Sequence, residues 1–136
     1  YPTWRLMQLC HPHLKASGQG SIINMGSGSA DTGLAGAAAY ASIKGAIATL
    51  SRVVANEWGV DGIRVNVLCP AALTDSLEEQ AKDYLPTVKQ QLANNPLGRV
   101  GDPYEDMAPV FVFLASDDSA YMTGPILHVE GGQIMP

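Results

Sequence analysis

The strongest constraint on this chain is an alternation of short aliphatic runs with long stretches of helix-favouring residues. Ser21-Ile22-Ile23-Asn24-Met25 is a β-branched, apolar run bounded by turn residues, the pattern of a buried strand. Residues 37–58 are rich in Ala, Leu, Ile, Val and Lys with no proline, and Gly59 closes them, which predicts a helix. Its small residues, among them Ala37, Ala41, Gly45 and Ala48, would let another backbone approach closely. Ile63-Arg64-Val65-Asn66-Val67-Leu68-Cys69 is a second strand ended by Pro70, and Ile126-Leu127-His128-Val129 is a third, followed by Gly131-Gly132. Strands that alternate with long helices need crossover connections, so the order predicts right-handed crossovers and a parallel sheet, an α/β fold.

Further helices complete the layout. Residues 4–15 place Trp4, Met7, Leu9 and Leu14 in a helix with Pro12 as a kink, stopped by the Gly18 to Gly20 region. A glycine- and serine-rich loop covers 26–36, and polar, amphipathic helices over 76–94 are expected to break at Pro86. Asp102-Pro103 caps and starts another helix that runs through Val110 and Leu114, with Phe111 and Phe113 expected in the core.

Composition removes several classes of function. A chain of 136 residues holds one domain at most. Its net charge of −5, with eight scattered basic residues, argues against nucleic acid as a main partner. No apolar run approaches the roughly 20 residues that cross a bilayer, and no secretory signal is visible, so a soluble, cytoplasmic protein is expected. Cys10 and Cys69 form neither a disulfide framework nor a CxxC zinc motif. His11 and His13 are two apart on a helix and face different ways, and His128 reads as a packed or hydrogen-bonded residue, so no metal site is expected. The absence of G-x-S-x-G weighs against a serine hydrolase.

Ser27, Tyr40 and Lys44 form the sharpest chemical constellation. Tyr40-Ala41-Ser42-Ile43-Lys44 sets a phenol and an ammonium one helical turn apart on one face. An ammonium beside a phenol favours the phenolate, which suits proton exchange with a substrate hydroxyl or carbonyl. Ser27 lies at the end of a strand, where open α/β sheets place their ligand crevice. The alternative for the Tyr/Lys pair is an ordinary solvated helix face. The preceding strand and Gly/Ser loop favour the chemical reading.

With these residues the chain resembles the short-chain dehydrogenase/reductases, over essentially its whole length. Gly20 through Ser27 is similar to the strand leading to that family's catalytic serine, Tyr40 follows by 13 positions, and Lys44 completes a Tyr-xxx-Lys signature. Gly62 through Pro70 resembles its next strand, and Asn95-Pro96-Leu97-Gly98-Arg99-Val100-Gly101-Asp102-Pro103 its lead into the penultimate helix. Phe113-Leu114-Ala115-Ser116-Asp117 and the stretch from Tyr121 through Gly132 resemble its C-terminal signature.

The resemblance implies the C-terminal half of a Rossmann-like, doubly wound parallel sheet, with three strands and flanking helices. It implies interconversion of an alcohol and a ketone or aldehyde with NAD or NADP: Tyr40 as acid/base, Ser27 polarising the substrate oxygen, Lys44 tuning Tyr40 and holding the nicotinamide ribose. Pro70, Ala71, Leu73 and Thr74 correspond to the segment that meets the nicotinamide, although Ala71 replaces a glycine and Thr74 stands one place early. Thr74 could instead cap the following helix. Residues 72–96 correspond to the substrate lid, and a dimer or tetramer is implied. The glycine-rich turn that cradles the pyrophosphate has no counterpart here: Gly26-Ser27-Gly28-Ser29-Ala30-Asp31 lacks the third glycine and lies inside the catalytic match. The family's further catalytic asparagine would fall just before Tyr1. The expectation is therefore part of one dinucleotide-binding domain. The alternatives are a non-catalytic, partner-binding remnant whose first strand has an unpaired edge, or an epimerase or dehydratase, against which the C-terminal signature counts.

Overall fold

A computed structural model describes residues 2–134. Its elements are α1 (Pro2–Ser17), β1 (Gly20–Met25), α2 (Ser29–Thr32), α3 (Ala38–Trp58), β2 (Ile63–Pro70), α4 (Asp75–Gln80), α5 (Leu85–Ala93), α6 (Ala108–Ala115) and β3 (Ile126–Val129). The three strands form one parallel sheet in the order β1-β2-β3. No helix among the described residues is long and apolar enough to cross a membrane.

β2 is the central strand, and its run from Val65 to Cys69 is buried on both faces, which explains why it reads as continuous rather than alternating. Ile63 and Val65 face α1 and α3, packing with Met7, Val54 and Ala55, while Trp4 stacks on Trp58 at 6.0 Å between ring centroids. Asn24 enters this face by donating from Nδ2 to Ser51 Oγ at 2.8 Å. Residues of opposite parity face α6. Ser21 Oγ donates to the Leu114 carbonyl at 2.8 Å, and Arg64 donates to Ser119 Oγ and to the carbonyls of Leu114 and Ser116.

This two-sided packing corrects the handedness expectation. Both crossovers step the same way across the sheet, yet α3 covers one face and α6 the other. Reflection through the sheet relates the two arrangements, so the β1-α3-β2 and β2-α6-β3 connections have opposite hands and only one obeys the right-handed rule. The Arg64 and Ser21 anchors, rather than strand twist, hold α6 on its side.

Other differences are local. The break in the segment after Thr74 falls at residues 81–84 rather than at Pro86, because Pro86 occupies the first turn of α5, where its missing N–H is no loss. α2 lies inside the loop expected to be irregular. After Asp102, whose side chain accepts the N–H groups of Tyr104 and Glu105, a single wide π-type turn over Pro103–Met107 precedes α6. The expectation that Phe111 and Phe113 lie in the core is not met: Phe111 is half-buried and Phe113 exposed. Leu114 is fully buried, but Val112 is 67% and Phe113 37% exposed, because only one side of the helix meets the sheet.

At the base of α1, Asp61 receives Lys15 at 2.7 Å and His11 Nε2 at 2.9 Å, and His11 lies against Trp58 at 4.3 Å. The Lys15 hydrogen bond, then that of His11, lowers the Asp61 carboxyl below its ordinary value. These contacts engage the His11 ring on both its Nε2 and its face. Between α1, β1 and α3 runs an open groove of about 450 Å³ lined by Leu6, Cys10, Leu14, Ile22, Met25 and Ile47. Among the described residues β1 pairs on its β2 side alone.

Candidate active site

The site is built at the carboxyl ends of the strands. Gly26 follows β1 and donates its N–H to the Leu68 carbonyl at 2.8 Å, and a Cβ there would sit 2.5 Å from Cys69 Sγ. Only glycine lets the chain leave the sheet so close to β2. Ser27 is thereby held at the rim, where its Oγ lies 2.9 Å from Ser29 Oγ and accepts the Ser29 N–H at 3.3 Å.

Lys44 projects from the second turn of α3 back toward that rim. Its Nζ donates to the Met25 carbonyl at 3.0 Å and stands 5.7 Å from the centroid of the Tyr40 ring. One acceptor leaves further Nζ–H donors for a ligand. Ser27 and Lys44 line one small cavity of about 160 Å³ with Gly26 and Cys69. Tyr40 is 53% exposed and presents its ring to solvent beside Lys44. The structure thus brings Ser27 and Lys44 together and couples Tyr40 to the pair through Lys44.

The segment after β2 is more firmly tied than its sequence suggests. Ala71 donates to the Val129 carbonyl at 2.9 Å and Leu73 to the Gly101 carbonyl at 3.2 Å, so both N–H groups are engaged within the chain. Thr74 Oγ1 accepts the Leu77 N–H at 3.2 Å and caps α4, which leaves its hydroxyl proton available. Pro70 and Ala71 instead contribute wall to a larger cleft of about 480 Å³ that Ser27 also faces. Behind it, Arg99 makes a two-pronged pair with Asp106, whose carboxyl is held far below the usual range by that guanidinium and by the Asp102 N–H.

Gln91 and Leu92 of α5, within the segment 72–96 expected as a lid, wall the cleft, while sequence reasoning missed Glu130 and Gln133 from the segment after β3, and Ile134. Gln133 Nε2 donates to the carbonyls of Gln91 and Leu92, fastening α5 across the opening, and buried Glu130 accepts the Ile134 N–H at 2.7 Å. The signal was present in Gly131-Gly132 just beyond the last strand, since ligands of open α/β sheets bind outside the carboxyl ends.

Comparison with known proteins decides the family. A family model described as "Enoyl-(Acyl carrier protein) reductase" matches residues 1–133. The 12alpha-hydroxysteroid dehydrogenase of a Clostridium species is 46% identical over 97% of this chain and 51% of its own length. The chain belongs to the short-chain dehydrogenase/reductase family. A tropinone reductase homolog of Arabidopsis thaliana is 38% identical over 95% of this chain and 48% of its own. Among solved structures, a short chain dehydrogenase/reductase family protein superposes with a TM-score of 0.83 at 34% identity, covering 96% of this chain and 52% of that one. A gluconate 5-dehydrogenase from Burkholderia cenocepacia in complex with NADP and tartrate gives 0.81 at 30%, covering 94% and 50%. The chain spans about half the length of these relatives.

Proposed function

We propose that this chain carries the proton-transfer half of an NAD(P)-dependent oxidoreductase that interconverts a secondary alcohol and a ketone. The observation that carries the reading is Lys44, whose ammonium is fixed on the Met25 carbonyl beside Ser27 while it flanks the Tyr40 ring. In the oxidation direction Tyr40, as phenolate, takes the hydroxyl proton of the substrate. Ser27 donates a hydrogen bond to the same oxygen, and the positive charge of Lys44 stabilises the phenolate. The reverse reaction returns the proton from Tyr40 to the carbonyl oxygen.

The free Nζ–H donors of Lys44 suit the hydroxyls of a nicotinamide ribose. Pro70 and Ala71, which wall the cleft that Ser27 faces, suit its nicotinamide end, with the Thr74 hydroxyl as a further candidate donor. A nicotinamide cofactor, when bound, supplies or accepts the hydride. The pyrophosphate end requires a glycine-rich turn on further strands, and the open edge of β1 with its apolar groove suits their addition. The cleft combines apolar Leu34, Leu92 and Ile134 with the amides of Gln91 and Asn94, which suits a substrate with a bulky apolar body, as the hydroxysteroid dehydrogenase relative also suggests. Exposed Ile43 and Val53 on α3, with Val112 and Phe113 on α6, support self-association into a dimer or tetramer.

The test is Tyr40→Phe in the full-length protein. Loss of the acid/base lowers kcat by about 10²–10⁴-fold with the fold retained by circular dichroism. Unchanged turnover overturns the assignment.

A further inference from the structure

We infer that Asp31, Cys69 and His128 form a binding site for a divalent, borderline-soft metal ion of the Zn²⁺ class, at the cavity that Ser27 and Lys44 also line. The three residues are far apart in sequence, but one ligand atom from each lies within 4.8 Å of the others. Cys69 and His128 are direct partners in the β2–β3 register, so the sheet itself sets their side chains beside each other on one face. Asp31 reaches over them from α2.

Two observations favour a metal over a simple polar cluster. Among the described residues the His128 ring makes no hydrogen bond, so Nε2, the nitrogen that faces Asp31, has no competing partner. This nitrogen stands 3.6 Å from Asp31 Oδ2. That is too long for a hydrogen bond, yet it is close to the edge of a tetrahedral zinc polyhedron, about 3.3–3.6 Å for the usual zinc–ligand distances. A thiolate, an imidazole and a carboxylate are the three ligand types of zinc sites, and three of them leave one coordination position open.

The cavity that Asp31 and Cys69 line also holds Lys44 and Arg52. Against these two cations a dication is favourable only with two anionic ligands, which Asp31 and a Cys69 thiolate provide. Metal binding displaces the thiol proton to solvent as the sulfur–metal bond forms. A bound ion would tie α2, and with it the turn after Ser27, to the ends of β2 and β3.

The test uses the purified full-length protein stripped of metal with a chelator. Zn²⁺ is titrated by calorimetry, and Co²⁺ is followed by its thiolate-to-metal absorption. The expected result is one tight equivalent with a thiolate band. Asp31→Asn, Cys69→Ser and His128→Gln should each weaken binding by at least about 100-fold, since losing even an outer partner of a ligand costs about 10–100-fold. Asp31 is largely exposed, so its variant folds and keeps the test valid should the two sheet variants unfold. Cys10→Ser, at the other, exposed thiol, should change nothing. Absence of a thiolate band, unchanged affinity in Asp31→Asn, or a band lost only in Cys10→Ser overturns the site.

Discussion

Gly28 and Ile134 offer a direct test of how the cleft beside Ser27 is closed. Gly28 has φ −60° and ψ −18°, an ordinary helical conformation, so alanine meets no backbone penalty there. The obstacle is steric: an added Cβ would lie 2.0 Å from Ile134 Cδ1 and 3.5 Å from Cγ1. Carbon atoms pack at about 3.5–4.0 Å, so Cδ1 must move by about 1.5–2 Å. Because the Ile134 N–H is held by Glu130 Oε2 at 2.7 Å, the movement falls on the side chain, which rotates into the space Ser27 faces. Overpacking of this kind costs about 1–3 kcal/mol. The reduced freedom of the unfolded chain in Gly28→Ala returns about 0.4–1 kcal/mol, which gives a net destabilisation of about 0–2.6 kcal/mol. In the Ile134→Ala background the clash disappears and the same substitution becomes neutral or slightly stabilising. A double-mutant cycle by urea unfolding of the full-length protein should therefore show a coupling of about 1–3 kcal/mol, the cost of the clash, within the range for residues in contact. KM for a bulky alcohol should rise in Gly28→Ala and recover in the double variant. A coupling below about 0.3 kcal/mol would falsify the proposed contact, because independent sites add to that tolerance.

Arg64→Ala should destabilise the protein by about 1.5–3 kcal/mol in urea unfolding, the range for hydrogen bonds to a charged group. One guanidinium's bonds to Ser119 Oγ and the Leu114 and Ser116 carbonyls are lost, while the Ser116 carbonyl and Ser119 Oγ keep each other. Leu114 keeps the hydroxyls of Ser21 and Ser119, so its carbonyl adds little, and a loss under 1 kcal/mol would contradict the anchoring role of Arg64. Asp106 provides a pH test. Arg99 lowers its folded value below the unfolded value near 4, so the stability it confers is fully present above that value and is lost as pH falls through the lower folded one. The stability difference between wild type and Asp106→Asn should hold constant above about pH 5 and close progressively below about pH 4. A difference that persists undiminished to the acid limit of folding rules out the pairing as its source.

The spacing of Tyr40 and Lys44 was legible because both lie on one helix, where four positions make a turn whatever the rest of the chain does. Ser27 was legible because a short aliphatic run ends just before it and a glycine marks the exit. The Thr74 cap and the Asp102-Pro103 helix start are likewise local chemistry, written within four residues. Pro86 was misread through the same local logic. Proline breaks a helix interior but is welcome in a first turn, and only the position of the break at residues 81–84 tells which case applies. Phe113 was misread because an apolar helix buries whichever side meets the sheet, and periodicity is silent when every side is apolar.

What the sequence determined by itself is therefore the order of the three strands and the longer helices, the α/β class, and the spacing of Ser27, Tyr40 and Lys44, all consequences of periods and caps acting over a few residues. Tertiary structure alone decided which face α6 covers and hence the opposite hands of the two crossovers. It also decided that Gln133 fastens α5 across the cleft, and that Asp31, Cys69 and His128 meet. These depend on register between strands and on contacts across tens of residues. Loop closure makes such contacts possible for many pairs, and packing of the whole chain selects the few that form.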